Sequence, residues 1–203
     1  MLVTVDLMYV LGYRELFPSS RCLFMYRDVE KVAKSSYRSS LCVPSGYLIL
    51  QALKLSPMVT KLMMGSMGLH ADNFAISLPG MPGDLVFGTL VAIVTTTLYL
   101  KARRNGVDVR AVCYEDLVAR PRDMCRVILE FCHLPVSLTD LAVKAFDVDS
   151  QRNSHIAKSV IGHFKDPEMT PQAKVKLNEI LKKFEMPPIG GEPNILEGTL
   201  TCS

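Results

Sequence analysis

The sequence predicts an α/β protein, a three-layer sandwich with a parallel sheet covered by helices on its faces. Three observations carry that expectation. Two short apolar runs, Arg21 to Tyr26 and Val107 to Tyr114, both look like interior strands. Each is followed within a few residues by a stretch of helical periodicity, and between them lies a strongly apolar run from Leu85 to Leu100. Interior strands alternating with helices are the pattern of parallel strands joined by crossover connections.

Taken in order, Pro18, Ser19 and Ser20 form a turn that introduces the first strand, RCLFMY. From Asp28 the period changes, with Val29, Val32, Ala33, Ser36 and Tyr37 marking one small or apolar stripe of a helix. Residues 42 to 84 lose periodicity around several prolines and the cluster Met58, Met63, Met64 and Met67, which reads as gap-filling in a core rather than as an adaptable pocket. The run Leu85 to Leu100 holds sixteen residues, four of them threonine, where a membrane span needs about 20 mostly apolar ones, so it reads as a buried helix. Asn105 and Gly106 then make a turn into a strand ending near Tyr114. Pro121 opens a helix carrying Met124, Val127, Ile128 and Phe131, closed by Leu134 and Pro135. A last helix starts after Thr170, a good N-cap ahead of Pro171, and runs through Val175, Ile180, Leu181 and Phe184. The Gly/Pro-rich stretch 187–203 is expected to be a disordered tail behind a single domain, 1–186.

Composition excludes several function classes. The 203 residues are 49% hydrophobic and 21% charged, in the range of a globular domain with a core of its own. A net charge of +3 is too small for a nucleic-acid partner, so any anion site is local. The six cysteines show no C-x-x-C and no paired Cys/His spacing, which argues against zinc and for free thiols. Residues Met1 to Leu11 carry Asp6 and no basic start, a poor match to a signal peptide.

In an open parallel sheet, ligands bind beyond the carboxyl ends of the strands. Here those ends read Tyr26-Arg27-Asp28 and Tyr114-Glu115-Asp116. Arg27 offers a fork of donors suited to a phosphate, and it is equally placed for an ion pair with Asp28, Glu30 or Glu115. Ser35 lies off the apolar stripe of its helix, as a ligand-binding hydroxyl or plain surface would. Glu115 and Asp116, adjacent on one turn, read as structural anchors rather than an acid/base pair. His133, at a helix end, reads as a cap.

Two segments resemble the sulfotransferases that use 3′-phosphoadenosine 5′-phosphosulfate (PAPS). LFPSSRCLFMYRDVEKVAKSSYRS is similar to that family's 3′-phosphate strand and helix, and VDVRAVCYEDLVARPRDMCRVILEFCHLP to its later strand, Y-E-D-L turn and proline-opened helix. Together they cover about a quarter of the chain, in the family's order. The resemblance implies a P-loop NTPase-like sulfotransferase fold, with Arg27 and Ser35 as the phosphate-binding arginine and serine and Tyr114 as the tyrosine that contacts the adenine nucleotide. A weaker similarity lies in the D-S-Q at Asp149 to Gln151.

The chain departs from the family pattern elsewhere. No Lys-Ser/Thr-Gly-Thr/Ser turn precedes the first strand, where only Gly12 stands in LGYRE, and no R-K-G segment follows. The first histidine is His70, after the strand that the family's catalytic histidine precedes. The expectation is therefore the later portion of a sulfotransferase domain, lacking its first strand and P-loop-like turn through truncation or an incomplete gene model. The partners implied are the nucleotide sulfate donor PAPS, its product 3′-phosphoadenosine 5′-phosphate (PAP), and an acceptor that is a small molecule, a carbohydrate or a protein. Intact relatives work in the cytoplasm or the Golgi lumen. The alternative is a catalytically inactive relative that binds or regulates a partner, self-associating through an exposed sheet edge.

Overall fold

A computed structural model describes residues 21–43, 45–48, 51, 58, 83–148, 154, 157–190 and 195–202. The chain order is β1 (Cys22–Tyr26), α1 (Val29–Leu41), α2 (Gly83–Arg104), β2 (Val109–Cys113), α3 (Tyr114–Ala119), α4 (Pro121–Phe131), α5 (Thr139–Lys144), α6 (Lys158–Ile161) and α7 (Pro171–Lys183). Short 3₁₀ turns at Val136–Leu138 and Ala145–Asp147 flank α5. The class is α/β, mostly helical, with a small two-stranded parallel sheet. Two units divide the chain: Met1–Arg27, Thr95–Asp149 and Ile195–Ser203 form the first, and Asp28–Val94 and Ser150–Asn194 the second.

The first unit is built on the sheet. β1 and β2 pair in parallel with Phe24 opposite Ala111 and Tyr26 opposite Cys113. Because side chains alternate along a strand, this register aligns Phe24, Tyr26, Val109 and Ala111 on one face. They are buried there with Tyr99, Leu100 and Ala102 from the end of α2 and with Leu196. The Phe24 ring stacks on Tyr99 at 4.7 Å between centroids. On the opposite face Val112 is buried with Leu117 of α3 and Met124 and Cys125 of α4. β1 is less enclosed than its apolar sequence implies, since Leu23 and Met25 are 37% and 42% exposed.

One local feature differs from the sequence expectation. Y-E-D-L is not an open turn but the start of α3, with Glu115 and Asp116 in its first turn, where acidic side chains meet the positive end of the helix. Proline at 121 then disfavours α geometry at Arg120, which takes φ −133° and ψ 60° and separates α3 from α4. His133 does cap α4: it adopts φ 56°, and the Leu134 amide reaches back to the Leu129 carbonyl at 2.9 Å.

The larger difference is the end of the chain. Residues 195–202, within the stretch expected to be a disordered tail, pair with β2. The Ala111 amide donates to the Gly198 carbonyl at 3.1 Å and the Leu200 amide to the Ala111 carbonyl at 2.8 Å. Leu196 is 3% exposed, and its amide donates to the Tyr26 hydroxyl at 3.3 Å. The Tyr99 hydroxyl donates to the Glu197 carbonyl at 2.6 Å. Thr199 Oγ1 donates to the Leu196 carbonyl, so in its 3.1 Å contact with Tyr26 it accepts the phenolic proton. Burial pushes the Tyr26 phenol above its ordinary pKa, against the hydrogen bond from the Leu196 amide, and so keeps it neutral.

In the second unit α1 begins at Asp28, whose carboxylate accepts the Lys31 amide at 3.1 Å, a cap that the sequence supplies directly. Gly88 of α2 lets the α1 backbone approach closely: a Cβ added there would lie 2.6 Å from the Ala33 Cα. α7 starts as expected, with Thr170 Oγ1 accepting the Ala173 amide and Pro171 in its first turn. Its buried face is Ala173, Leu177, Ile180 and Leu181, which leaves Val175 62% exposed. Glu30 of α1 binds Lys34 at 2.9 Å and Lys174 of α7 at 3.0 Å.

α2 runs through both units and is apolar and long enough to cross a membrane by composition, with a mean hydropathy of 1.7 over its most apolar 18 residues. Leu85, Thr89, Ile93 and Tyr99 are nevertheless each 0% exposed, as in a core helix and as expected from the sequence.

Candidate functional site

Parallel pairing of β1 with β2 means that the residues just past Tyr26 and Cys113 leave the sheet side by side. These are Arg27 and Tyr114. The Arg27 guanidinium carbon sits 4.8 Å from the centroid of the Tyr114 ring, a cation–π geometry. Its Nε donates to Glu115 Oε1 at 3.3 Å. Arg27 thus has two fixed contacts, one through its face and one through Nε. Among the described residues, Nη1 and Nη2 make no hydrogen bond.

Of the three carboxylates open to Arg27 in the sequence, the structure selects Glu115. The other two are engaged within the second unit, Asp28 by the amides of Lys31 and Gly190 and Glu30 by Lys34 and Lys174. Glu115 also accepts from the Cys113 thiol through Oε2 at 3.7 Å. Burial pushes the Cys113 thiol above its ordinary pKa, and the negative charges of Glu115 and Asp116 add to this, so the sulfur is a protonated donor rather than a thiolate. Asp116 pairs with Arg120 one turn on, at 3.4 Å. Both acidic side chains are therefore held in structural pairs, as the sequence predicts.

Ser35 belongs to the second unit, half-buried in the middle of α1. The side of α1 that meets Gly88 carries Ala33 and Ser36. At about 100° per residue, Ser35 projects away from that crossing. The structure thus joins Arg27 to Tyr114 within one unit and places Ser35 in the other. Sequence reasoning did not find the stacking of Arg27 on Tyr114; the one signal for it is that each residue directly follows its strand.

No group of three or more His, Cys, Asp or Glu side chains suited to a metal ion occurs among the described residues. All six cysteines are free thiols. His133 accepts a hydrogen bond from Arg21 at 3.1 Å through Nε2. Met1 to Leu11, Gly12, Met63, Met64, Met67, His70 and Asp149 to Gln151 lie outside the described residues, and Met58 is 76% exposed. The site as described sets an oriented guanidinium on an aromatic face, with Glu115 and the protonated Cys113 thiol beside it.

No protein-family model, curated protein or solved structure matches this chain.

Proposed function

We propose that the chain is a sulfotransferase-like protein that binds the 3′-phosphate end of PAPS and of its product PAP. Arg27 would grip the phosphate, with Tyr114 beside the nucleotide. The observation that carries this reading is the Arg27 side chain itself. It is held by its face and its Nε at the joint carboxyl end of two parallel strands, while the edge suited to a phosphate makes no hydrogen bond to the described residues. The two sequence segments that resemble the family support it independently.

In sulfuryl transfer the acceptor oxygen or nitrogen attacks sulfur in line with the bond to the bridging phosphate oxygen. That S–O bond breaks with its electron pair remaining on PAP, and the acceptor's proton passes to a base. Arg27 and Tyr114 make and break none of these bonds. Their part is to fix the donor, which lowers the entropy cost of reaching the in-line geometry.

Calorimetric titration with PAP tests the proposal. Charge-assisted hydrogen bonds of this kind contribute about 1.5–3 kcal/mol, so Arg27→Ala should weaken PAP roughly 10- to 150-fold. Adenosine 5′-monophosphate, which lacks the 3′-phosphate, should bind wild type and variant alike. No binding of PAP by the wild-type chain, or binding indifferent to Arg27→Ala, overturns the assignment.

A further inference from the structure

Glu115 and Arg27 are not simply a surface ion pair. Their side chains are 31% and 36% exposed, and the contact is a single one through Nε at 3.3 Å rather than the two-pronged pairing that a carboxylate and a guanidinium make when each is the other's main partner. The Tyr114 ring lies under the guanidinium at 4.8 Å, and the second Glu115 oxygen is held by the Cys113 thiol at 3.7 Å. The carboxylate is thereby fixed from the end of β2, and it in turn fixes Arg27 at the end of β1.

We propose that Glu115 is a positioning residue for anion binding by Arg27: it holds the guanidinium through Nε flat on Tyr114, leaving the Nη1 and Nη2 edge to meet a phosphate. This rests on the reading of Arg27 as the phosphate-binding residue. Two effects of Glu115 oppose each other. Its negative charge disfavours an incoming anion, whereas its hydrogen bond removes the freedom that a long side chain otherwise loses on binding. The second effect is the larger, because an arginine with most of its length free must be immobilised at each binding event, while a partly exposed carboxylate is screened by water and salt.

Two substitutions separate these effects. Glu115→Gln keeps an oxygen that accepts from Nε and removes the charge. Glu115→Ala removes both. With PAP as the probe, Glu115→Gln should bind as well as wild type or better, and Glu115→Ala should bind roughly 2- to 12-fold more weakly. Adenosine 5′-monophosphate binding should not change in either. A ligand-free readout accompanies the titration: the Arg27 Nε–H resonance should be sharp and slow to exchange in wild type and Glu115→Gln, and broadened in Glu115→Ala. Both variants should melt within about 2–4 °C of wild type, as expected for a surface pair.

If Glu115→Ala binds PAP as tightly as wild type or more tightly, while wild type and Arg27→Ala differ as proposed, the positioning role is overturned and the functional reading stands. If wild type binds no PAP, both fall together. An Nε–H signal unchanged in Glu115→Ala also overturns the positioning role.

Discussion

Gly88→Ala gives a sharp test of how the second unit is held together, because two effects with opposite signs meet at one atom. In an ordinary helix interior this change is stabilising by about 1 kcal/mol, since alanine surrenders less backbone entropy than glycine. Here the added Cβ would lie 2.6 Å from the Ala33 Cα, 2.8 Å from the Ser36 Cβ and 3.0 Å from the Ala33 carbonyl oxygen. Ordinary contact between such atoms begins near 3.5 Å, so α1 must retreat from α2 by about 1 Å. Two of the three blocking atoms are backbone, which no rotamer change can move. Overpacking of this kind costs about 1–3 kcal/mol, which offsets the propensity gain or exceeds it and sets the expected net destabilisation at up to about 2 kcal/mol. For a chain of this length that lowers the melting midpoint by up to roughly 8 °C. Trimming the opposing side chains gives a control: Ala33→Gly in the same background should not restore stability, because the clash is with the Ala33 main chain. Thermal melts followed by circular dichroism measure both variants. A midpoint raised by Gly88→Ala would show that helix propensity governs the site and that α1 and α2 do not cross as described.

Two further outcomes are expected. Burial raises the Glu30 pKa, but hydrogen bonds and charge from Lys34 and Lys174 outweigh it, and the carboxyl ends below its ordinary 4.5. A lowered carboxyl pKa contributes stability that is complete above the unfolded value and is lost as pH falls through the folded one. Glu30→Gln should therefore be about 1–3 kcal/mol less stable than wild type at pH 7, with the gap closing below about pH 4.5 in urea titrations; a gap independent of pH would refute the linkage. Leu196, 3% exposed against the aromatic face of the sheet, should cost about 2–5 kcal/mol when replaced by alanine. An unchanged melting curve for Leu196→Ala would mean that residues 195–202 add nothing to the first unit.

What the sequence reveals and what it hides divide along a physical line. Local signals are legible: the Thr170 cap, Pro121 and Pro171 in their first turns, and the change of period after Tyr26 all act within a few residues. The buried helix at Leu85 is legible because its apolar content is high and four threonines interrupt the run. The pairing of residues 195–202 with β2 is hidden, since the prolines and glycines at 187–193 just before it make the whole stretch read as a tail. The groups that hold the segment, Tyr26, Tyr99 and Ala111, stand far away in sequence. Turn chemistry misleads at Y-E-D-L for a related reason: two acidic residues fit either an exposed turn or a helix start, and the proline that closes the short helix comes several residues later.

The site follows the same division, and Arg27 shows why an ion pair and a ligand site need not be rival explanations of one residue. From the sequence, pairing with a nearby carboxylate and gripping a phosphate compete, because each is imagined to occupy the whole guanidinium. In the structure the pair uses Nε alone, at 3.3 Å and with both partners about one third exposed, a contact that contributes at most about 1 kcal/mol. Two charge-assisted hydrogen bonds from the other edge to a phosphate contribute more than that, and forming them does not require the first to break. A weak, single-point pair is therefore what a binding arginine needs: strong enough to hold the side chain over Tyr114, and too small to keep it from an anion. Had Glu115 met Arg27 through both terminal nitrogens, the same two residues would argue for structure alone.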